Sequence, residues 1–276
     1  MRMLVVDAFT DRPFAGNPAG VCLLDAPADP AWMQRVAAEM RHSETAFVRP
    51  LEGDPEAGHE LRWFTPSVEI ALCGHATLAS GHALYSAGLV PAGRPIRFRT
   101  LRSGVLTVRQ GEGGGLEMDF PADPPEAAPA PAGLAGALGT EIVWSGRNGQ
   151  PDLVAEVADE DTVRKLDPDL DALGRFGARV VIVTARADPG SPYDFVSRAF
   201  GGAVGVGEDP VTGSAHCALA PFWSARLGRD TLTGYQASER GGLVGTRLDG
   251  GRVVLSGTAV TVLDGEWTAP AAGHPV

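Results

Sequence analysis

The stretch from which the fold is best inferred is Gly205-Val-Gly-Glu-Asp-Pro-Val-Thr-Gly-Ser-Ala-His-Cys-Ala-Leu-Ala220. Asp209-Pro210 cannot lie inside a helix, because proline lacks an N–H donor and biases the residue before it toward extended backbone. A helix is therefore expected only after it, over 213–227. The first turn of that helix, at Gly213 and Ser214, offers N–H donors without helical partners, and these favour a bound anion.

A second copy of this pattern occurs in the first half of the chain, as Glu69-Ile-Ala-Leu-Cys-Gly-His-Ala-Thr-Leu-Ala79. When the stretches are aligned on Glu69 and Glu208, Gly74 falls on Gly213, Ala76 on Ala215 and Ala79 on Ala218, and the polar His75 falls on the polar Ser214. The spacing is about half the chain, which indicates an internal duplication. We expect the two helix starts to face one shared site and to hold an anion together.

The chain is long enough for two lobes, at 276 residues. Short apolar runs separated by turn residues outnumber the helical stretches, and local hairpins favour antiparallel sheets. The predicted class is therefore α+β, with two similar lobes of mostly antiparallel sheet. We place the N-terminal lobe at 1–114 and the C-terminal lobe at 115–261, and we expect a strand at about 262–276 to return to the first lobe.

Composition excludes several kinds of partner and chemistry. A net charge of −11 argues against nucleic acid or an anionic membrane, which need a basic surface. Lys165 is the only lysine, so Schiff-base chemistry is not expected. Three cysteines are too few for a disulfide framework and lack zinc-site spacing. We see no secretory pattern, membrane span or cofactor fingerprint, and predict a cytoplasmic protein without metal or cofactor.

Three residues are candidates for acid–base work. Glu44 precedes the apolar strand Ala46-Phe-Val48, where desolvation would raise its pKa, although a solvated glutamate at a strand start fits the same pattern. His75 would tend to stay neutral at a helix start, and a structural histidine is its alternative interpretation. Asp209 is either part of an acidic pair beside an anion-binding turn or a turn former before proline.

Several motifs together carry a resemblance to a known family. In order along the chain they are Phe14-Ala-Gly-Asn-Pro-Ala-Gly20, Ser43-Glu-Thr-Ala-Phe47, Arg62-Trp-Phe-Thr-Pro66, Cys73-Gly-His-Ala-Thr77, Glu208-Asp-Pro-Val-Thr-Gly-Ser-Ala-His216 and Arg240-Gly-Gly242. They span nearly the whole chain and resemble the PhzF, or phenazine biosynthesis-like, family.

The resemblance implies the diaminopimelate-epimerase-like fold, in which each of two lobes wraps a barrel-like sheet around a central helix. It also implies a homodimer and cofactor-free proton transfer on a small carboxylate, trans-2,3-dihydro-3-hydroxyanthranilate in PhzF proper. The family's proton-moving glutamate matches Glu44. Its other site residues match His75, Asp209 and Ser214, while Gly74 and Gly213 match the helix starts that hold the carboxylate and Asn17 lies in a matching motif.

One departure bears on the mechanism. Racemases of the wider superfamily carry a cysteine in each lobe, but this chain has Cys73 in the first and Thr212 in the second. The single-glutamate isomerase is therefore favoured. An epimerase that uses Cys73 with Glu44, and a non-catalytic metabolite-binding protein, remain the alternatives. The sequence shows no cation beside either helix start, so we expect the two helix ends to bind the substrate carboxylate without one.

Overall fold

The computed structural model describes residues 1–201 and 207–268. Gly205 and Val206, which open the stretch quoted first, lie outside the described residues, as does the part of the predicted C-terminal strand beyond 268. The chain divides into two compact units. The first unit is Met1–Asp119 with the chain from Ser256 onward, and the second is Phe120–Leu255.

The first unit consists of strands and two helices in the following order. They are β1 (Arg2–Ala8), β2 (Asn17–Leu23), α1 (Pro30–Met40), β3 (Glu44–Pro50), β4 (His59–Phe64), β5 (Glu69–Ile70), α2 (Gly74–Ser86), β6 (Ile96–Thr100), β7 (Val105–Gln110), β8 (Leu116–Pro121) and, near the chain end, β18 (Ala259–Glu266). Helix α1 begins where its sequence predicts, because Asp29 accepts a hydrogen bond from the Ala31 N–H and Pro30 occupies the first turn.

The strands of this unit surround α2. Strand β2 lies antiparallel to β1 and parallel to β3, β4 is antiparallel to β3 and parallel to β6, and β18 returns antiparallel to β1. Helix α2 packs against β1, β2, β3, β7 and β18, and most of its side chains are buried. A helix buried on nearly every face is apolar all round, which is why α2 shows no amphipathic stripe in its sequence.

The second unit has the following elements. They are β9 (Glu126–Ala127), α3 (Leu134–Leu138), β10 (Trp144–Arg147), β11 (Leu153–Glu156), α4 (Glu160–Arg164), α5 (Leu170–Leu173), β12 (Val181–Arg186), β13 (Phe195–Phe200), β14 (Glu208–Asp209), α6 (Gly213–Leu227), β15 (Thr231–Gln236), β16 (Gly242–Asp249) and β17 (Arg252–Gly257). Helix α6 has the bounds that its sequence predicts, and most of it is buried.

The strand pairings of the two units repeat one pattern. In the first unit β1–β2 are antiparallel, β2–β3 parallel, β3–β4 antiparallel and β4–β6 parallel. In the second unit β10–β11, β11–β12, β12–β13 and β13–β15 follow the same sequence of directions. The predicted α+β class with two similar, mostly antiparallel lobes, each holding a buried helix, is confirmed.

An ion pair recurs at the same place in both units. Arg62 on β4 donates from two nitrogens to Glu69 on β5, at 2.7 and 2.9 Å. Arg198 on β13 donates to Glu208 on β14 in the same way, at 2.6 and 2.8 Å. Each pair fixes the short strand that leads into the buried helix, so the duplicated glutamates found in the sequence have a structural role.

Candidate active site

Strand β3 places Glu44 at its first residue. The register pairs Glu44 with Ala19 on the parallel neighbour β2, while the antiparallel partner β4 pairs Thr45 with Phe64. The three residues that follow Glu44 are fully or nearly fully buried, so the carboxylate lies at the edge of an apolar layer with 17% of its side chain exposed. This is the edge position that the sequence predicted for it.

The start of α2 brings His75 to the same place. Cys73 is the N-cap, in extended conformation and without a side-chain capping bond, and Gly74 begins the helix. His75 is buried, and its Nε2 lies 3.2 Å from the Glu44 Oε2. That oxygen is buried and makes no aligned hydrogen bond, so the two groups are in contact but are not joined by a hydrogen bond.

A chain of polar side chains determines which nitrogen of His75 carries the proton. Ser43 donates from Oγ to the Asn17 Oδ1 at 3.4 Å, and the Asn17 Nδ2 lies 3.2 Å from the His75 Nδ1. An amide nitrogen only donates, so Nδ1 accepts and the proton sits on Nε2, toward Glu44. With Glu44 ionised, turning the amide over would leave the lone pair of Nε2 facing a carboxylate, which is unfavourable. Asn17 is fully buried, which makes it a positioning residue for His75.

The environment of Glu44 favours its protonated form. Burial raises the pKa of Glu44, and the polar side chains of Ser43 and Cys73 beside its carboxylate oppose this effect. The direction is the one expected from the sequence. A carboxyl group whose pKa is moved toward neutral pH can both accept and return a proton, which a general acid/base must do.

Cys73 completes the cluster in the first unit. Its Sγ lies 3.5 Å from Nδ1 and 3.9 Å from Nε2 of His75. Ligand atoms of Glu44, Cys73 and His75 all lie within 4.8 Å of one another, so these three residues could hold a metal ion. Carboxylate, thiolate and imidazole are all zinc ligands, and three protein ligands with one open position is the arrangement of catalytic zinc.

The predicted residues of the second unit lie around the start of α6. Asp209 accepts from the Thr212 Oγ1 at 2.6 Å, and Gln236 binds both the Asp209 carbonyl and the Thr212 N–H. Glu208, the other acid of the pair, is the partner of Arg198. The structure therefore separates the two neighbouring acids: Glu208 is structural, and Asp209 is held next to the helix start that carries Gly213 and Ser214.

Histidine 216, one turn into α6, is structural. It is fully buried, and its Nδ1 lies 2.9 Å from the Thr212 carbonyl oxygen, to which it donates. Burial lowers the pKa of His216 to about 4, so the ring is neutral.

The expectation that no cation accompanies either helix start is wrong. The Arg179 Nη2 lies 3.1 Å from the Ser214 Oγ and 2.7 Å from the Asp152 Oδ2. Sequence reasoning missed it because Arg179 is far from Ser214 along the chain. The strand registers show the relationship: when Phe64 is matched with Phe200, Arg179 takes the position that Ser43 occupies in the first unit.

Comparison with known proteins now identifies the family. The model of the phenazine biosynthesis-like proteins, PhzC-PhzF, matches residues 6–265. The chain belongs to this family. A protein of Halalkalibacterium halodurans named an uncharacterized isomerase is 46% identical over 263 residues, with 95% of this chain and 96% of that protein covered.

Two further members support the assignment. A Pseudomonas aeruginosa protein, also named an uncharacterized isomerase, is 48% identical over 263 residues, with 94% of this chain and 96% of its own covered. The crystal structure of a PhzF-family protein from Enterococcus faecalis matches with a TM-score of 0.90 at 40% identity, covering 97% of this chain and 99% of that one. This PhzF-family chain is an isomerase. Within the described ranges, no helix combines the length and apolar character needed to cross a bilayer.

Proposed function

We propose that this PhzF-family isomerase moves a proton on a small carboxylate-bearing metabolite, similar to trans-2,3-dihydro-3-hydroxyanthranilate, with Glu44 as the general acid/base. The observation that carries the proposal is the buried Glu44 carboxylate beside the Nε2–H of His75. Burial raises the pKa of this carboxyl group, and a raised pKa makes its carboxylate a stronger base.

The proposed reaction is balanced within the substrate. The Glu44 carboxylate takes a proton from one carbon, the electron pair of that C–H bond moves into the conjugated system of the substrate, and Glu44 returns the proton to another carbon. The Nε2–H of His75 donates a hydrogen bond to a polar group of the substrate and orients it. Nothing is oxidised or reduced, so the step calls for no cofactor.

The residues of the second unit have binding roles in this proposal. Asp209 orients or relays protons with a polar substituent of the substrate, and Ser214 binds its carboxylate. The backbone N–H groups at Gly74 and Gly213 contribute helix-start donors, which favour anions. Asn17 takes part through His75, which its amide contacts.

Isotope exchange tests the role of Glu44. With trans-2,3-dihydro-3-hydroxyanthranilate in deuterated water, wild-type protein should incorporate solvent deuterium into carbon positions. Glu44→Gln should abolish this incorporation, while Glu39→Gln, on the exposed side of α1, should leave it unchanged. Undiminished exchange in Glu44→Gln would remove Glu44 from the role.

A second candidate is an epimerase that uses Cys73 and Glu44 on opposite faces of a carbon. The contact of the Cys73 thiol with His75 supports it, because the imidazole can take the proton of the thiol. The contact of Cys73 with Glu44 counts against it, since a substrate carbon cannot lie between two groups that touch. It predicts inversion at a stereocentre and loss of activity after alkylation of Cys73. Full activity of an alkylated protein, or of Cys73→Ser, would dismiss it.

The proposal also includes a homodimer in the cytoplasm, as the family resemblance implies. Cys22, Cys73 and Cys217 are all free and buried, which suits a reducing compartment. Light scattering after size-exclusion chromatography would measure the mass of the assembly. Fractionation of source cells, followed by immunodetection, would locate it.

A further inference from the structure

A charged network lies beside the start of α6. Arg179 donates from Nη2 to both the Asp152 Oδ2, at 2.7 Å, and the Ser214 Oγ, at 3.1 Å. Its side chain is 34% exposed. Within the described part of the chain only Nη2 forms hydrogen bonds; Nε is buried without a partner, so Nη1 is the nitrogen that a ligand could reach.

The carboxylate that holds Arg179 is buried to an unusual degree. The Asp152 side chain is only 1% exposed, and its Oδ2 also accepts from the Asn148 Nδ2 at 3.0 Å. Its Oδ1 is buried without a partner among the described residues. Burying a carboxylate costs several kcal/mol, and an apolar pair of similar volume is often as stable or more so. This arrangement therefore calls for an explanation other than stability.

The internal duplication relates Arg179 to the acid–base cluster of the first unit. Phe64 pairs with Thr45 in the first unit, and Phe200 pairs with Val181 in the second. Counting back from these pairs, Val180 occupies the place of Glu44, and Arg179 that of Ser43. The first copy has thus placed a carboxylic acid where the second has an apolar residue preceded by a cation. The two copies share one framework but differ here: the first has an acid at this position, and the second has a cation one residue earlier.

We propose that Arg179, held in place by Asp152, is the residue that recognises the carboxylate of the small-molecule ligand at the start of α6. The proposal rests on the proposed function, because it names the group that binds the acid of that substrate. A planar guanidinium matches the two oxygens of a carboxylate. The Ser214 hydroxyl and the first-turn N–H groups of α6 supply further donors, and the partial positive charge of the helix start favours the same anion.

Binding of a simple carboxylate probe tests this inference without any turnover. Benzoate is the probe, and benzamide is its neutral counterpart of the same shape. Both are titrated by calorimetry into wild-type protein, into Arg179→Met and into Arg226→Met. Arg226 is the matched control, since it lies in the same unit, is 33% exposed and is paired with Glu156.

We expect Arg179→Met to weaken benzoate binding about 10- to 100-fold, the range for one charged hydrogen bond or more. Binding of benzamide should not change, and Arg226→Met should bind benzoate like the wild type. Wild-type affinity for benzoate in Arg179→Met would overturn the inference. A wild-type protein that shows no saturable benzoate binding would overturn it as well.

A second variant distinguishes a loss of binding from a loss of folding. Arg179→Met leaves the Asp152 carboxylate buried and unpaired, whereas Asp152→Asn with Arg179→Met removes both charges. The double variant should fold and should still bind benzoate weakly, and if it binds as tightly as the wild type the inference falls.

The outcome is separable from that of the proposed function. Glu44→Gln should lose isotope exchange and keep benzoate binding. If the wild type binds benzoate through Arg179 but catalyses no exchange, only the proposed reaction fails. If exchange depends on Glu44 but benzoate binding is independent of Arg179, only the present inference fails.

Discussion

The Glu44 Oε2 lies 3.2 Å from the His75 Nε2, yet the two atoms form no aligned hydrogen bond. An acid–base pair held by an ideal hydrogen bond would have to break it before either partner could turn to a substrate. The observed contact keeps the imidazole proton close to the carboxylate. It does not compensate for the desolvation of Glu44, which raises the pKa of this group. The site is thus organised at some expense to the stability of the fold.

That expense has a defined pH dependence. Burial raises the folded-state pKa of Glu44 above its value in the unfolded chain. The contribution of Glu44 to stability is therefore fully present below the unfolded-state pKa, and it is lost as pH rises through the folded-state value. Glutamine carries no charge at any pH, so Glu44→Gln should gain stability relative to the wild type as pH rises.

Urea unfolding of wild type and Glu44→Gln at about pH 4 and about pH 8 measures this difference. The free energy of unfolding of Glu44→Gln, relative to that of the wild type, should be larger at the higher pH. Glu39→Gln is the control: it removes an exposed carboxylate, so it measures the effect of losing a charge that is not buried. If the unfolding free energy of Glu44→Gln, relative to that of the wild type, decreased with rising pH, burial could not be what sets the pKa of Glu44.

Asn17→Asp should disturb the tautomer of His75. A carboxylate at position 17 accepts a hydrogen bond where the amide donates one, and so it draws the imidazole proton to Nδ1. The Nε2 of neutral His75 would then face Glu44 without a proton. Turnover should fall by about 10²-fold or more, as it does when a catalytic histidine is held in the wrong tautomer. Nitrogen NMR shifts of His75 give the tautomer directly, and a spectrum identical to the wild type would refute the chain from Ser43 through Asn17.

The predictability of this fold from sequence depends on how local each signal is. Helix α1 could be placed to the residue because Asp29 and Pro30 cap it within a few positions. The duplication could be seen because Gly74 and Gly213 open buried helices in both copies. The contact of Arg179 with Asp152 and Ser214 could not be predicted from the sequence. It depends on the parallel register of β11 with β12 and on the position of α6 in the folded unit.

The candidate site shows the same division. Glu44 and His75 were selected from their local context, a strand start and a helix start. That they touch follows from the packing of α2 against β3, which periodicity does not reveal. The role of Asn17 toward His75 is likewise a contact between distant parts of the chain. The sequence therefore indicates which residues have suitable chemistry, but it does not show which of them contact one another.

The two recurring ion pairs should be equivalent in energy. Arg62–Glu69 and Arg198–Glu208 are each bidentate and mostly buried. Replacing either arginine by methionine leaves a half-buried carboxylate without its partner, so each change should cost about 1–3 kcal/mol of unfolding free energy. Lys165→Met removes a solvent-exposed pair with Asp161 and should cost less than either of these changes.

Chemical denaturation checks this prediction by measuring the unfolding free energy of the two arginine variants and of two double variants. The double variants are Arg62→Met with Glu69→Met, and Arg198→Met with Glu208→Met. The double variants should recover part of the loss, because no carboxylate is left unpaired. A large loss for one arginine and none for the other would contradict equivalent roles in the two copies.

Gly81 lets α2 approach β7 closely, and this approach positions the helix that carries His75. A Cβ at Gly81 would lie 2.6 Å from the Val108 Cγ1, within a buried part of the unit. Gly81→Ala should therefore destabilise the protein by about 1–3 kcal/mol, more than offsetting the roughly 1 kcal/mol that alanine gains over glycine in a helix. Gly136, in α3, has open space around its Cβ position, so Gly136→Ala should stabilise instead.

A double-mutant cycle tests whether Val108 is the cause. Val108→Ala alone leaves a cavity beside α2 and is destabilising. In Gly81→Ala/Val108→Ala the added methyl group occupies the vacated space, so the double variant should be more stable than the sum of the single losses by about 0.5–3 kcal/mol. Because a displaced α2 also displaces His75 from Glu44, isotope exchange should fall in Gly81→Ala and recover in the double variant. Strict additivity of the two stability losses would show that this contact does not set the position of α2.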